Sequence, residues 1–168
     1  MRHIIGILLQ NESGALARVA SLFSSRGYNI ESLAVSTTQD PTVSRITLVT
    51  TGSEAVIQQI VAQLNKLIDV VTVDDMTTGD HLEQELALVK LRIAPDQREL
   101  AAGMVKTAGG RVLNTEPESY IAELTASEAE VTRFVRELAR HGELLEVVRS
   151  GAVALSRRPR SLHVVADA

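Results

Sequence analysis

Several residue types are scarce or absent in this sequence, and each shortage excludes a class of function. The 168 residues include no cysteine and no tryptophan. Without cysteine the chain has no disulfides, no thiolate nucleophile and no cysteine-based zinc site. Aromatic residues make up only 2%, which leaves little for stacking of bases, and a formal net charge of −4 argues against binding a phosphate backbone. We therefore expect no nucleic-acid partner.

Long apolar runs and targeting patterns are missing as well. No apolar run approaches the length of a membrane-spanning helix, and the opening residues Met1 to Ile4 lack the pattern of a signal peptide. None of the four histidines stands at metal-ligand spacing from another histidine. We therefore expect a soluble, cytoplasmic protein with no membrane partner and no metal site of its own.

The two halves of the sequence show the same order of predicted strands and helices. Hydrophobic residues make up 45% of the chain, enough to form a core. Residues 4–73 show the periodicities of strand, helix, strand, strand, helix and strand, and the same order runs through residues 86–148. Two helix starts in the second half have the spacing of a capping box: Asp96 with Glu99, and Ser127 with Glu130.

Each half therefore has the order βαββαβ. With right-handed crossovers this order gives a four-stranded antiparallel sheet with both helices on one face. The predicted fold class is α+β, with two ferredoxin-like domains at 1–78 and 79–160, a hinge at 77–80 and a tail at 161–168. Residues 4–9 are apolar on both faces of their strand, so the first sheet must be covered within the chain or by another copy. We expect a homodimer or a higher homo-oligomer.

Some details of this interpretation concern individual residues. Ser13 is predicted to be the N-cap of the first helix, and Arg18 to lie on its exposed face. The second strand is predicted to begin at Asn29, and residues 144–148 to form the last regular strand. The predicted buried stripe of the first helix consists of Leu16, Val19, Ala20 and Phe23.

The stretch from residue 8 to residue 33 gives the strongest indication of function. The first helix begins at Gly14, and a helix N-terminus offers unpaired N–H groups and partial positive charge to a carboxylate. Gly14 has no Cβ to keep a ligand away from the backbone. Asn11 and Asn29 carry both donors and acceptors, as a zwitterionic ligand requires. No nucleophile or set of metal ligands is present here, so the stretch predicts a sensor of an amino acid without catalytic residues of its own.

The same stretch resembles a known family. N-E-S-G-A-L at residues 11–16 and R-G-Y-N-I-E-S-L at residues 26–33 resemble the regulatory (small) subunits of acetolactate synthase, also called acetohydroxyacid synthase. Residues 40–45, 63–70 and 147–157 resemble three further motifs of that family, in the same order. The resemblance runs from Met1 to about Arg158.

The resemblance implies an N-terminal ACT domain, which binds amino acids, and a smaller related C-terminal domain. The chain would then bind and activate a large catalytic subunit that uses thiamine diphosphate, FAD and magnesium to condense two 2-oxo acids. It would confer feedback inhibition in branched-chain amino acid biosynthesis, usually by valine. In this family the effector lies between two ACT domains, with residues 9–16 contributed by one and the segment from Asn29 contributed by the other.

A site of eight residues follows for the effector. Its carboxylate would meet backbone N–H groups around Gly14 and Ala15, and apolar side chains would surround its own side chain. Because an apolar wall distinguishes one methylene by only ~1–3 kcal/mol, the choice among valine, leucine and isoleucine stays open. The corresponding loop of the second half, residues 94–98, has neither the asparagine nor the glycine, so it is expected to contact the catalytic subunit or to support the dimer. The predicted site consists of Leu9, Asn11, Gly14, Ala15, Leu16, Asn29, Ile30 and Val35.

Other interpretations remain open at this point. Gly14 is also explained as a simple helix start, and Asn29 as a residue that leads into a strand. A free-standing ACT-domain sensor that regulates another enzyme or a transcription factor would share the same loop, although no helix-turn-helix is present. A small phosphatase of ferredoxin-like fold would need a basic phosphate cradle, and the loop before Gly14 has no basic residue.

Overall fold

The computed structural model describes residues 1–157, which form two compact units. The first unit contains Met1–Leu82 together with the described residues that follow Gly151, and the second contains Glu83–Gly151. The sequence placed the division after residue 78 and assigned everything up to residue 160 to the second domain. The structure groups residues 152–157 with the first unit instead. The predicted tail at 161–168 lies outside the described residues.

The first unit is built on one antiparallel sheet with two helices. Its strands pair in the order β2-β3-β1-β4, which is the topology expected for βαββαβ. Because β2 is the first strand in this order, it forms an edge of the sheet. The elements are β1 (Arg2–Gln10), α1 (Ala15–Ser25), β2 (Ser32–Thr37), β3 (Val43–Thr51), α2 (Glu54–Leu64) and β4 (Val70–Asp75).

The core of the first unit lies between the helices and one face of the sheet. Alternate residues of β1 and β3, among them Ile5 and Leu48, pack against side chains of α1 and α2. The predicted stripe of α1 is partly wrong, because Leu16 is 39% exposed. The helix is turned so that the stripe begins one position earlier, and its buried residues are Ala15, Val19, Leu22 and Phe23.

The second unit repeats the topology, with strands in the order β6-β7-β5-β8. The predicted capping box at Ser127 is confirmed, because the Ser127 N–H donates to the Glu130 carboxylate at 3.1 Å and the Ser127 hydroxyl donates to it at 2.6 Å. The predicted box at Asp96 is wrong, because Pro95–Gln97 form a 3₁₀ turn that leads directly into the helix. The elements are β5 (His81–Ile93), α3 (Arg98–Thr107), β6 (Arg111–Asn114), β7 (Tyr120–Ala126), α4 (Glu128–Leu138) and β8 (Gly142–Arg149).

A ninth strand, β9 (Val153–Ser156), follows the one that the sequence predicted to be the last. Its Ala154, together with Ala152 just before the strand, belongs to a buried cluster with Ile4, Val49 and Met76 of the same unit. The Ala154 N–H donates to the Thr47 hydroxyl at 3.3 Å. The apolar outer face of the first sheet is therefore covered from within the chain, one of the two solutions expected from the sequence. None of the helices within residues 1–157 is long and apolar enough to cross a membrane.

Candidate effector site

The predicted site begins where β1 passes into α1. Gly14 has φ +86° and stands at the N-cap, so this position requires a left-handed conformation that favours glycine. Ser13 is therefore not the N-cap, contrary to the prediction. The Ala15 N–H, predicted to meet a ligand carboxylate, donates to the Glu12 carbonyl at 3.2 Å, and the Ala15 side chain is buried. A carboxylate would have to compete with that turn for the Ala15 N–H.

The first turn of α1 differs electrostatically from those of the other helices. Glu54 in α2, Glu99 in α3, and Glu128 and Glu130 in α4 place carboxylates in the first turn of each helix. Among the four α-helices of residues 1–157, only α1 has no acidic residue there. A helix N-terminus carries partial positive charge, which attracts anions. In α1 no carboxylate of the first turn neutralises that charge.

Arg18 adds positive charge at the same place. Its Nε and Nη2 donate to the two carboxylate oxygens of Asp69, the latter at 2.7 Å. The third guanidinium nitrogen, Nη1, takes no part in this pair and lies 3.0 Å from the position that a Cβ on Gly14 would occupy. The hydrogen bonds raise the pKa of Arg18 and lower the pKa of Asp69. The sequence placed Arg18 on the exposed helix face, which is incomplete, because it is paired with a carboxylate that is 5% exposed.

Asn11 is held by the turn that connects β2 to β3. Its N–H donates to the Thr42 carbonyl at 2.7 Å, and its Nδ2 donates to the Pro41 carbonyl at 2.9 Å. The Ser44 hydroxyl donates to its Oδ1 at 3.1 Å. An asparagine amide has two N–H groups and two lone pairs, so one of each remains for a ligand after these bonds are made.

Asn29 lies in the segment between α1 and β2. Gly27, with φ +69°, ends α1, and β2 begins only at Ser32, so the predicted start of this strand at Asn29 is wrong. Asn29 is exposed, and its carbonyl accepts a hydrogen bond of 2.6 Å from the Thr50 hydroxyl. The asparagine side chain therefore reaches solvent while its backbone is fixed to β3.

The structure does not bring the two asparagines of one chain together. Asn11 is bonded to Ser44 and Asn29 to Thr50, and these two residues lie at opposite ends of β3. Six residues of antiparallel strand span about 20 Å. A ligand as small as valine is therefore unable to contact both asparagines of the same chain.

The four apolar residues predicted to surround the ligand have different environments. Leu9 is 2% exposed and belongs to the core under the helices, so it is not accessible to a ligand at the surface. Leu16 in the first turn of α1 and Val35 on the edge strand β2 are 39% and 43% exposed. Ile30 is half-buried against the core. Within residues 1–157, no group of three or more histidine or acidic side chains is arranged to hold a metal ion.

Two family models match successive parts of the chain. Residues 5–72 match the AHAS (acetohydroxyacid synthase) small subunit-like ACT domain, and residues 84–158 match the small subunit of acetolactate synthase. The small subunit of acetolactate synthase isozyme 3 from Salmonella typhimurium is 44% identical over 157 residues, which cover 94% of this chain and 96% of that protein. The chain belongs to the acetolactate synthase small-subunit family.

Other members of the acetolactate synthase small-subunit family match over similar lengths. The small subunit from Haemophilus influenzae is 40% identical and covers 96% of this chain and 99% of that protein. The crystal structure of the small subunit from Thermotoga maritima has a TM-score of 0.84 at 31% identity and covers 95% of this chain and 99% of that one. These matches confirm the resemblance and the α+β fold with two ferredoxin-like units. They support a regulatory role in branched-chain amino acid synthesis.

Proposed function

We propose that this chain is the regulatory subunit of an acetolactate synthase. It binds and activates the large catalytic subunit, which holds thiamine diphosphate, FAD and magnesium, and it makes that subunit sensitive to valine. The observation that carries the proposal is the start of α1, where a helix without acidic residues in its first turn lies beside the Arg18 guanidinium. This arrangement suits the carboxylate of a free amino acid. The expected cytoplasmic location stays a prediction.

The effector site is proposed to form between two copies of the chain. An edge strand presents unpaired backbone groups to a further strand. If two β2 strands meet antiparallel about a two-fold axis, the end of one near Thr37 lies beside the start of the other near Ser32. Thr37 is opposite Ser44, which holds Asn11, and Ser32 is opposite Val49, next to the residue that holds Asn29. The pairing therefore brings Asn11 of one copy to Asn29 of the other, twice per dimer.

Each part of the amino acid then has a partner. The carboxylate lies at the first turn of α1, the two asparagine side chains bind the polar groups, and Leu16, Ile30 and Val35 contact the aliphatic side chain. Leu9 has no place in this site, because it is buried in the core. Since the ligand contacts both copies, its binding changes the relative stability of alternative dimer arrangements, and the catalytic subunit responds to that change.

The alternative of a free-standing sensor has less support, because the chain covers nearly all of the length of its acetolactate synthase relatives. The phosphatase alternative is weakened in a different way. A phosphate cradle needs several basic groups, and the loop at residues 10–13 contains none.

Isothermal titration of the full chain tests the proposal. The chain is titrated with L-valine, L-leucine and L-isoleucine, alone and together with the catalytic subunit, and acetolactate formation is followed in the same mixtures. We expect saturable binding of at least one of the three amino acids, activation of the catalytic subunit without it, and inhibition when it is added. Absence of binding together with an unaffected catalytic subunit would contradict the proposal.

A further inference from the structure

The backbone around Asn29 has only a few anchors. The Tyr28 N–H donates to the Phe23 carbonyl at 3.0 Å, and the Glu31 N–H donates to the Val49 carbonyl at 2.9 Å. Between these two bonds, Asn29 itself is attached through its carbonyl to the Thr50 hydroxyl at 2.6 Å. The position of the Asn29 side chain relative to the sheet therefore depends on a bond that Thr50 supplies.

Thr50 is not accessible to a ligand. It is 1% exposed, and it lies opposite the fully buried His3 in the register of β1 and β3. Strand alternation places it on the same face of β3 as Leu48, under the helices. A buried hydroxyl needs a hydrogen-bond partner, and the Asn29 carbonyl provides it. Thr50 therefore acts on the site only through Asn29.

Ser44 has the corresponding relation to Asn11 at the other end of β3. It is 6% exposed, and its hydroxyl donates to Asn11 Oδ1 at 3.1 Å. With the Asn11 Nδ2 bonded to the Pro41 carbonyl, this contact fixes which way the amide points. Ser44 and Thr50 thus each hold one of the two asparagines, and the rigid strand between them sets the distance from one to the other.

We propose that Thr50 and Ser44 are positioning residues of the effector site, which hold Asn29 and Asn11 in the orientation that binds the amino acid without touching it. The inference rests on the proposed function. It adds that the affinity for the effector depends on two buried hydroxyl groups, which lie beneath the surface that the effector contacts.

The test compares two substitutions of Thr50 in the full chain, by isothermal titration with L-valine. Thr50→Val keeps the branched shape and removes the hydroxyl, whereas Thr50→Ser keeps the hydroxyl and removes a methyl group from the core. We expect Thr50→Val to bind valine about 5- to 10-fold more weakly, as for the loss of one hydrogen bond, and Thr50→Ser to stay within about twofold of the wild type. If Thr50 acted only through packing, the serine variant would be at least as weak as the valine variant, and that result would overturn the proposal.

A matched control is available on the same strand. Thr47 is also buried and also makes a hydrogen bond through its hydroxyl, but to the Ala154 N–H on the opposite face. Thr47→Val should leave the affinity for valine within about twofold of the wild type. That result would show that the effect of Thr50→Val comes from the lost bond to Asn29, since both variants remove a buried hydroxyl from β3. Thermal unfolding of each variant confirms that the titrated protein is folded.

Ser44→Ala provides the second arm, with an expected loss of about 3- to 10-fold in valine affinity. Asn29→Ala and Asn11→Ala are titrated in parallel. If both asparagine variants lose affinity while Thr50→Val and Ser44→Ala do not, the positioning role is wrong and the site stands. If the wild type binds none of L-valine, L-leucine and L-isoleucine, the proposed function and this inference both fail.

Discussion

At corresponding places in the two units, α1 and α3 begin in different ways. Before α1 the chain turns through the left-handed Gly14, and no carboxylate lies in the first turn. Before α3 the chain passes through Pro95, which has no N–H; Asp96 follows it directly, and Glu99 lies in the first turn of the helix. The second helix start thus has fewer donors and compensates its own partial charge, whereas the first remains available to an external anion. This difference is why we propose an effector site in the first unit and none in the second, although the two units share one topology.

The largest expected effect comes from making the start of α1 resemble that of α3. Gly14→Asp places a carboxylate beside the Arg18 guanidinium and forces an L-residue into a left-handed conformation. We expect valine affinity to fall by on the order of 100-fold, with loss of feedback inhibition, as measured by titration and by acetolactate formation. Gly14→Ala, which adds strain without charge, should lose about 10-fold. Full valine sensitivity of the aspartate variant would show that the effector carboxylate does not bind there.

A mixed dimer tests whether each effector site takes Asn11 from one copy of the chain and Asn29 from the other. Asn11→Ala and Asn29→Ala should each weaken valine binding by about 1–3 kcal/mol, because hydrogen bonds to the ligand are lost. When the two variants are combined in one dimer, one site loses both asparagines and the other regains both. Titration of the mixture should therefore recover a fraction of sites with wild-type affinity. If each site lay within a single chain, no mixture would recover any.

The stability of the protein at acidic pH allows one carboxylate of the first unit, Asp69, to be compared with one of the second, Glu130. Arg18 lowers the pKa of Asp69, and Ser127 lowers the pKa of Glu130. A carboxylate with a lowered pKa in the folded state contributes stability that is present above its unfolded pKa, near 4, and is lost as the pH falls through the folded value. We expect urea midpoints of the wild type to decrease below about pH 4, and Asp69→Asn and Glu130→Gln to flatten that decrease. Parallel pH curves for variants and wild type would contradict these assignments.

The smallest expected effect is in the second unit. Glu99→Gln removes a charge that favours the N-terminus of α3 and should lower the free energy of unfolding by about 0.3–1 kcal/mol, as measured in urea. Valine affinity should not change, because the helix start after Pro95 still lacks the left-handed glycine and the asparagine of the first loop. A change in valine binding would indicate that the second unit takes part in recognising the effector.

Local patterns predicted most of the fold. Periodicity located the eight principal strands and the four helices, because amphipathic repeats and glycine stops are local signals. Strand β9 was missed because its four residues, Val153–Ser156, are too few to show a clear periodicity. Its burial depends on Ile4, Val49 and Met76, which lie far away in the sequence.

The sequence predicted the candidate site as a set of residue types, and that set stays a prediction; the contacts of those residues come from the structure. Asn11, Gly14 and Asn29 lie on exposed turns, where glycine and asparagine carry their own local signal. The pairing of Arg18 with Asp69 joins residues 51 positions apart, and no periodicity reveals it. Leu9 was misplaced because an apolar strand end looks the same whether it borders the core or a ligand.

The covering of the first sheet by β9 affects how the chain is made. Residues 152–157 emerge from the ribosome long after β1 to β4, so during synthesis the nascent ACT unit exposes Ile4, Val49 and Met76 to water. An early stop codon anywhere before residue 152 would leave the same apolar strip uncovered in the released product. Such fragments are expected to associate or to be degraded, because this unit loses its exposed apolar strip only after residues 152–157 have been synthesised.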